Sequence, residues 1–343
     1  RNNEEVILDI CDINNESLEI LEIILSKIII PKNFKINLIN ADFLTYKFDK
    51  KYDLIIGNPP FKKIQLNKKL LAEYKSQMIN KDTTNIFSFF IEKSLKMTNY
   101  LAFITPKSLI SAPEFNKTRD LLSGYEVEKI IDFGEKGFKG VKIETIGFIV
   151  KTSKADNYIV KVESYITKDI RYYENNYIFS NEFPYWLIYR NDFFDEIASK
   201  VVFNVFESFR DRQITKAHTQ AKGKYRVIKA RNLESGSIKN IEGYDTYIDD
   251  LDSLVVSKYL NMKNAILVPN LSYYPRAAFL PENSITDGSV AILIPKEEIK
   301  ITNKDLLYFS NPEFVNFYRI ARNFGTRSLN IDKNSVFFWC LLN

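Results

Sequence analysis

Asn58-Pro59-Pro60-Phe61 is the stretch whose residue types and spacing point most directly to chemistry. Two consecutive prolines fix φ twice and remove two backbone donors, so a strand cannot run through them and the carbonyl of Pro59 loses its ladder partner. A neutral amide, an unpaired carbonyl and an aromatic ring then share one rigid turn. Such a turn suits a planar ligand carrying an amino group: the Asn58 side-chain oxygen and the Pro59 carbonyl can each accept one N–H, while Phe61 stacks on the ring. The bland alternative is a strand that ends in a Pro-Pro turn. The single histidine, His218, excludes histidine-dependent triads and multi-histidine metal sites.

The elements that must position this turn come just before it. Tyr52 to Gly57 is an apolar strand ending at Asn58. Val6 to Ile10 is a shorter strand run followed by Asp12, and Leu18, Leu21, Ile24, Leu25 and Ile28 have the spacing of one buried helix face. Ile36 to Ile39 is another strand run, ending in Asn40-Ala41-Asp42-Phe43. A carboxylate just past a parallel strand is placed to accept from a ribose diol. Equally, Asp12 could simply cap the helix that follows.

Strand, carboxylate, helix, strand, carboxylate, strand and Asn-Pro-Pro-Phe, with Asp12, Asp42 and Asn58 separated by 30 and 16 residues, resembles the amino-directed, S-adenosylmethionine-dependent methyltransferases, above all the adenine-N6 DNA methyltransferases of restriction-modification systems. The resemblance implies an α/β, Rossmann-like methyltransferase domain over residues 1–153. It implies that Asp12 and Ile13 hold the cofactor ribose, and that Asp42 and Phe43 hold its adenine. Asn58, Pro59, Pro60 and Phe61 become the catalytic motif, and Phe138, in a loop with three glycines, becomes a second ring beside Phe61 for a base flipped out of the duplex. No metal is needed for methyl transfer. Members with this motif order also carry a preceding strand and a Phe-x-Gly-x-Gly-like cofactor loop, which is not found here; Phe324-Gly325-Thr326 lacks the second glycine. The Rossmann-like domain is therefore expected to be incomplete at its N-terminus, with two strand edges and an apolar face left open, and the sequence is expected to be a part of something longer.

Residues 154–343 are expected to form a mixed α+β target-recognition domain. Lys154 to Tyr189, rich in tyrosine, reads as the crossover into it. Strands are expected at Lys200–Val205, Lys224–Ala230, Ala265–Val268 and Val290–Ile294, and a helix at Pro312–Arg322. The segment from Tyr225 to Leu233 resembles, more loosely, the target-recognition domains of type I specificity subunits and type IIG methyltransferases. A net charge of +5 is too mild to imply DNA, but Arg212 to Leu233 holds seven Lys or Arg and no acid. Lys216, Lys222, Lys224, Arg226, Lys229 and Arg231 are the candidate contacts there, and Arg322, Asn323 and Arg327 form a second group able to reach base edges. The first stretch also reads as a solvated basic loop. Glu73-Tyr74-Lys75 lacks the context of a metal-nuclease site and reads as helix surface.

Two cysteines, no long apolar run and an acidic start make a cytoplasmic protein without a membrane span the expectation. Double-stranded DNA is the expected partner, and a restriction endonuclease or nuclease domain is a further one. Two other readings stay open: a methyltransferase acting on RNA or on a protein glutamine, and a non-catalytic DNA-recognition protein with a degenerate methyltransferase half.

Overall fold

The computed structural model describes residues 4–64, 66–135, 137–138, 143–271, 273–326 and 330–343. Arg327 lies outside them. The chain is a mixed α/β structure. Strands β1 (Val6–Asp12) and β2 (Phe34–Asn40) form a two-stranded parallel sheet in register from Val6 opposite Phe34 to Asp12 opposite Asn40, with helix α1 (Asn15–Leu25) connecting them. Asn14 caps α1 by accepting the Glu16 N–H, so capping does not fall to Asp12. Of the expected inward face of α1 only Leu18 is buried; Ile24 is exposed, and Ile28 lies beyond the helix end. A two-stranded sheet is too narrow to cover more.

A six-stranded sheet follows in the order β3-β4-β6-β5-β7-β8. Its strands are β3 (Tyr52–Gly57), β4 (Thr98–Pro106), β5 (Glu126–Gly134), β6 (Thr145–Lys151), β7 (Ile159–Ser164) and β8 (Asp169–Glu174). Helices α2 (Lys68–Ser76), α3 (Ile86–Leu95) and α4 (Asn116–Ser123) intervene. β3 pairs parallel with β4 and lies at the sheet edge, and β1 likewise has one unpaired side. Val6, Ile7, Leu8, Leu54 and Ile56 on these two edges are exposed. Asp9 ties the sheets together, accepting from Asn37 Nδ2 and Tyr52 Oη, each at 2.7 Å, and pairing with Lys50 at 2.7 Å.

The larger sheet does not stop near residue 153. Val160 and Val162 of β7 are buried and extend its apolar face, so the segment expected to be a crossover supplies two more strands of this sheet. Beyond them come α5 (Asn175–Ile178), α6 (Asp192–Ala198), β9 (Val201–Val202) and β10 (Phe206–Arg210). The strand expected over Lys200–Val205 is cut to two residues because Asn204 takes a left-handed φ of 61°. Then follow β11 (Tyr225–Ile228), β12 (Thr246–Ile248), β13 (Ile266–Pro269), β14 (Ala278–Phe279), β15 (Ser284–Thr286), β16 (Val290–Pro295), α7 (Asn303–Tyr308), α8 (Pro312–Ala321) and β17 (Leu341–Leu342). They build a four-stranded sheet β10-β16-β13-β14, a three-stranded sheet β12-β11-β15 and the pair β17-β9.

The main core runs from Leu101, Ile146 and Phe148 through Trp186 and Phe194 to Phe317, Phe338 and Trp339. On β13, Ile266 and Val268 enter this core, while Leu267 enters a second one with Val227, Ile285 and Ile292. The strand's period-two alternation thus gives the four-stranded sheet a buried side in each core.

Candidate active site

β3 ends at Gly57, opposite Phe103, while β4 continues to Pro106 against β6. A Cβ at Gly57 would lie 3.2 Å from the Phe103 ring, so that ring would have to give by a few tenths of an ångström where the strand delivers the chain into the turn. Pro59 is buried and Asn58 exposed. Among the described residues, neither the Asn58 side chain nor the Pro59 carbonyl has a hydrogen-bond partner. Phe61 is half-buried, edge-on to Phe87 at 6.4 Å and to Phe138 at 6.3 Å, with interplanar angles of 79° and 75°.

The chain after the turn is fastened to the start of α3. Ile86 N–H donates to Lys62 O and Ile64 N–H to Thr84 O, both at 2.9 Å, and Lys63 bridges to Asn85. Glu114 gathers Lys63 Nζ, Thr83 Oγ1 and Asn85 Nδ2 within 3.0 Å. A turn anchored on this side holds its acceptors in one geometry at little entropic cost on binding.

Asp12 and Asp42 stand at the ends of adjacent strands, where Ala41 N–H donates to the Asp12 carbonyl at 3.1 Å. Asp12 is exposed, and among the described residues its carboxylate accepts only from Asn14 N–H through Oδ1, at 2.8 Å; Ile13 beside it is 70% exposed. Asp42 accepts from Leu44 N–H at 2.9 Å and from Tyr74 Oη at 2.5 Å. Burial, followed by that hydrogen bond, pushes the Tyr74 hydroxyl well above its ordinary range, so it remains a donor. Phe43 stacks on Phe90 at 4.8 Å and 18°, with Lys93 Nζ 5.3 Å from its centroid. Burial lowers the Lys93 pKa, and the Asp42 charge opposes this.

Tyr74 and Lys93 were not legible as site residues. Glu73-Tyr74-Lys75 reads as surface, and Glu73 is exposed, but Tyr74 turns inward and is 7% exposed. Its only sequence signal is an aromatic one turn from Leu70 and Leu71, which share its small cluster with Leu44 and Phe89.

Phe138 sits in the loop between β5 and β6. Gly134, at φ 57°, turns the chain out of β5, and a Cβ at Gly137 would meet Thr145 Oγ1 at 2.2 Å. Beneath the loop is a buried ionic group. Lys107 Nζ lies 2.5 Å from Asp132 Oδ2 and 4.0 Å from Glu144 Oε1; Tyr189 Oη also donates to Asp132, and all four residues are at most 5% exposed. Burial and then the Asp132 charge hold the Tyr189 hydroxyl far above its usual range.

The basic candidates divide. Lys216, Lys222, Lys224 and Arg231 are exposed, and Arg231 lies over the Tyr244 ring at 4.7 Å. Lys216 and Lys229 line a cavity of about 320 Å³ with Tyr244, Thr246 and Asp287. A cavity of about 440 Å³ is lined by Arg171, Tyr173, Tyr177 and Arg190; neither cavity is lined by the Asn58 turn. Arg226 is committed to Asp245 at 2.8 Å, and Lys229 to the carbonyl and ring of Tyr244. Arg322 and Asn323 are buried, contrary to a role at base edges. Asn323 accepts from Ile188 N–H at 2.9 Å and donates to Trp186 O at 2.8 Å, and Arg322 donates to Asn330 O at 3.1 Å. They join the C-terminal turn to the core.

The exposed Asn58 amide and the carbonyl of buried Pro59 thus stand at a strand end, with carboxylates at the ends of the two strands before it. Residues 6–138 match the family model of the Eco57I restriction-modification methylase. The type II methyltransferase M.VspI of Vibrio sp. (strain 343) is 32% identical over 125 residues, 35% of this chain and 30% of that protein. M.HincII of Haemophilus influenzae is 34% identical over 138 residues, 37% of this chain and 28% of that protein. The modification methylase CviBIII of Paramecium bursaria Chlorella virus NC1A is 25% identical over 150 residues, 42% of this chain and 38% of that protein. The matched part thus spans less than two fifths of each of these relatives. Among solved structures, the type IIL restriction-modification enzyme MmeI in complex with DNA aligns over 83% of this chain and 46% of its own, at 12% identity and TM-score 0.49. The type IIG restriction endonuclease BpuSI aligns over 100% of this chain and 56% of its own, at 12% identity and TM-score 0.47. Among the described residues no helix is long and apolar enough to cross a membrane, and no group of three or more His, Cys, Asp or Glu could hold a metal ion.

Proposed function

We propose that the chain carries the catalytic and target-reading parts of a site-specific DNA methyltransferase of a restriction-modification system, which transfers a methyl group from S-adenosylmethionine to N6 of a flipped adenine. The observation that carries this reading is the pair of acceptors, Asn58 Oδ1 and the Pro59 carbonyl, without a hydrogen-bond partner among the described residues, in an anchored turn with the half-buried ring of Phe61.

The donor set suits the cofactor. The exposed Asp12 carboxylate would hold the ribose hydroxyls with Ile13 beside it, and Asp42, with Phe43, would take the adenine amino group. Tyr74 braces Asp42 from behind. S-adenosylmethionine supplies the electrophilic methyl group when bound.

An adenine amino group is a poor nucleophile because its lone pair is delocalised into the ring. Two acceptors on its N–H bonds favour a pyramidal nitrogen whose lone pair is free to attack, so a neutral amide suffices and no general base is required. Rigid placement supplies most of the remaining advantage. The base must leave the duplex, and stacking on Phe61 and Phe138 offsets the cost of unstacking. Because these rings now stand nearly perpendicular, Phe138 must turn or shift before a base lies flat on Phe61. Lys216, Lys222, Lys224 and Arg231 supply phosphate contacts.

The test incubates the full-length protein with methyl-labelled cofactor and genomic DNA and maps the modified bases. Label at adenine N6 supports the reading; label on protein or RNA but not on DNA overturns it.

A further inference from the structure

The Phe138 loop is held at both ends by one residue from far along the chain. Thr326 Oγ1 donates to Glu135 Oε1 at 2.7 Å, and Thr326 N–H donates to Glu144 Oε1 at 2.9 Å. Glu135 precedes Phe138 by three residues and Glu144 follows it by six. Glu144 is in turn part of the buried group around Lys107 and Asp132. Asp132 fixes the exit from β5 by accepting the Gly134 N–H at 2.9 Å.

Thr326 is held as firmly. Asn323 and Phe324 both adopt a left-handed φ of 50°, a strained conformation for a non-glycine residue that persists only where its surroundings impose it. Here the restraints are the two Asn323 hydrogen bonds to residues 186 and 188, and the Phe324 ring packed 4.9 Å from that of Tyr189. Tyr189 also donates to Asp132, so the strained turn and the ionic group share one side chain.

We propose that Thr326 is a positioning residue: it straps the end of the C-terminal region to the loop that carries Phe138, and so sets how far Phe138 closes on the target base beside Phe61. The strap makes the turn at residues 322–326 and the Phe138 ring parts of one mechanical unit. This inference rests on the base-handling role of Phe61 and Phe138 given above.

The test compares Thr326→Val, which keeps the backbone N–H and the side-chain shape but loses the hydroxyl, with Thr326→Ser, which keeps the hydroxyl, in the full-length protein. Without DNA, amide exchange across residues 134–144 should accelerate about tenfold in Thr326→Val and stay within about twofold of the parent in Thr326→Ser, the change expected on losing one hydrogen bond to a charged acceptor. With 2-aminopurine at the target position, Thr326→Val should give altered emission from the extruded base and a kcat about tenfold lower, while the dissociation constant for DNA stays within about twofold. Unchanged exchange in Thr326→Val, or equal losses in both variants, overturns the proposal. If the parent protein methylates no adenine while Thr326→Val still loosens the loop, the base-handling reading fails and the mechanical strap stands.

Discussion

Replacing Asn58 by alanine separates chemistry from stability. The side chain is exposed and has no hydrogen-bond partner among the described residues, so its removal leaves no buried group unsatisfied and opens no cavity. Stability should change by no more than about 0.5 kcal/mol, the scale of a surface substitution. In the transition state the amide oxygen accepts from a nitrogen that is gaining positive charge, inside a site from which the base and cofactor have displaced water. Removing one such oriented group typically costs about 10²–10³ in rate, or roughly 3–4 kcal/mol of barrier. DNA affinity should hardly move, because the exposed lysines supply phosphate attraction away from this corner. The assay is single-turnover methyl transfer to duplex DNA at saturating cofactor, beside thermal melts of parent and variant. Transfer within about threefold of the parent, or a stability loss above about 1 kcal/mol, would refute the reasoning, since the amide would then be either idle or structural.

Other variants test the surrounding parts. Phe61→Ala removes a stacking face worth about 1–3 kcal/mol, and should weaken productive DNA binding by about 5- to 150-fold in kcat/KM. Tyr74→Phe deletes the hydroxyl that braces Asp42, and should raise the cofactor dissociation constant about fivefold by isothermal titration with little change in kcat. Asp9 carries an acid-sensitive link: although burial alone would raise its pKa, hydrogen bonds from Asn37, Lys50 and Tyr52 pull it down to about 2 from an ordinary 3.8. A depressed carboxylate stabilises the fold above its unfolded pKa, so this contribution, about 1 kcal/mol after solvent screening, should fade as pH falls from about 4 to 2. Urea unfolding across that window should therefore show a shallower acid loss in Asp9→Asn; an identical slope would remove Asp9 from the account.

Legibility in the sequence followed the range of the interactions concerned. The end of β3 could be read from Pro59 and Pro60 because proline acts on its own residue and its immediate neighbours. The strands carrying Asp12 and Asp42 were visible as apolar runs, as was the amphipathic α3. Tyr74 was missed because its meeting with Asp42 is set by how α2 lies against the β2–β3 segment, and nothing local distinguishes it from a surface tyrosine. Arg322 and Asn323 were misread for the same reason: their basic and polar neighbourhood looks exposed, while their partners near residues 185–188 and at Asn330 are remote or reached through an uncommon backbone conformation. The end of the larger sheet was placed too early because the adjacent Tyr172 and Tyr173 of β8 sit between charged residues and resemble a linker, whereas pairing with β7 makes them a strand.

The four-stranded sheet β10-β16-β13-β14 bears on how recognition could be re-engineered. Its two faces serve different cores, one continuous with the catalytic half and one closed by the small sheet β12-β11-β15. It is a party wall: a graft cut near residue 154 would tear β7 and β8 from their neighbours and strip the aromatic packing around Trp186 and Phe338. Transplants that keep the wall and exchange only the outer leaf, where Lys222, Lys224 and Arg231 lie, leave the six-stranded sheet and the Asn58 turn on their original footing.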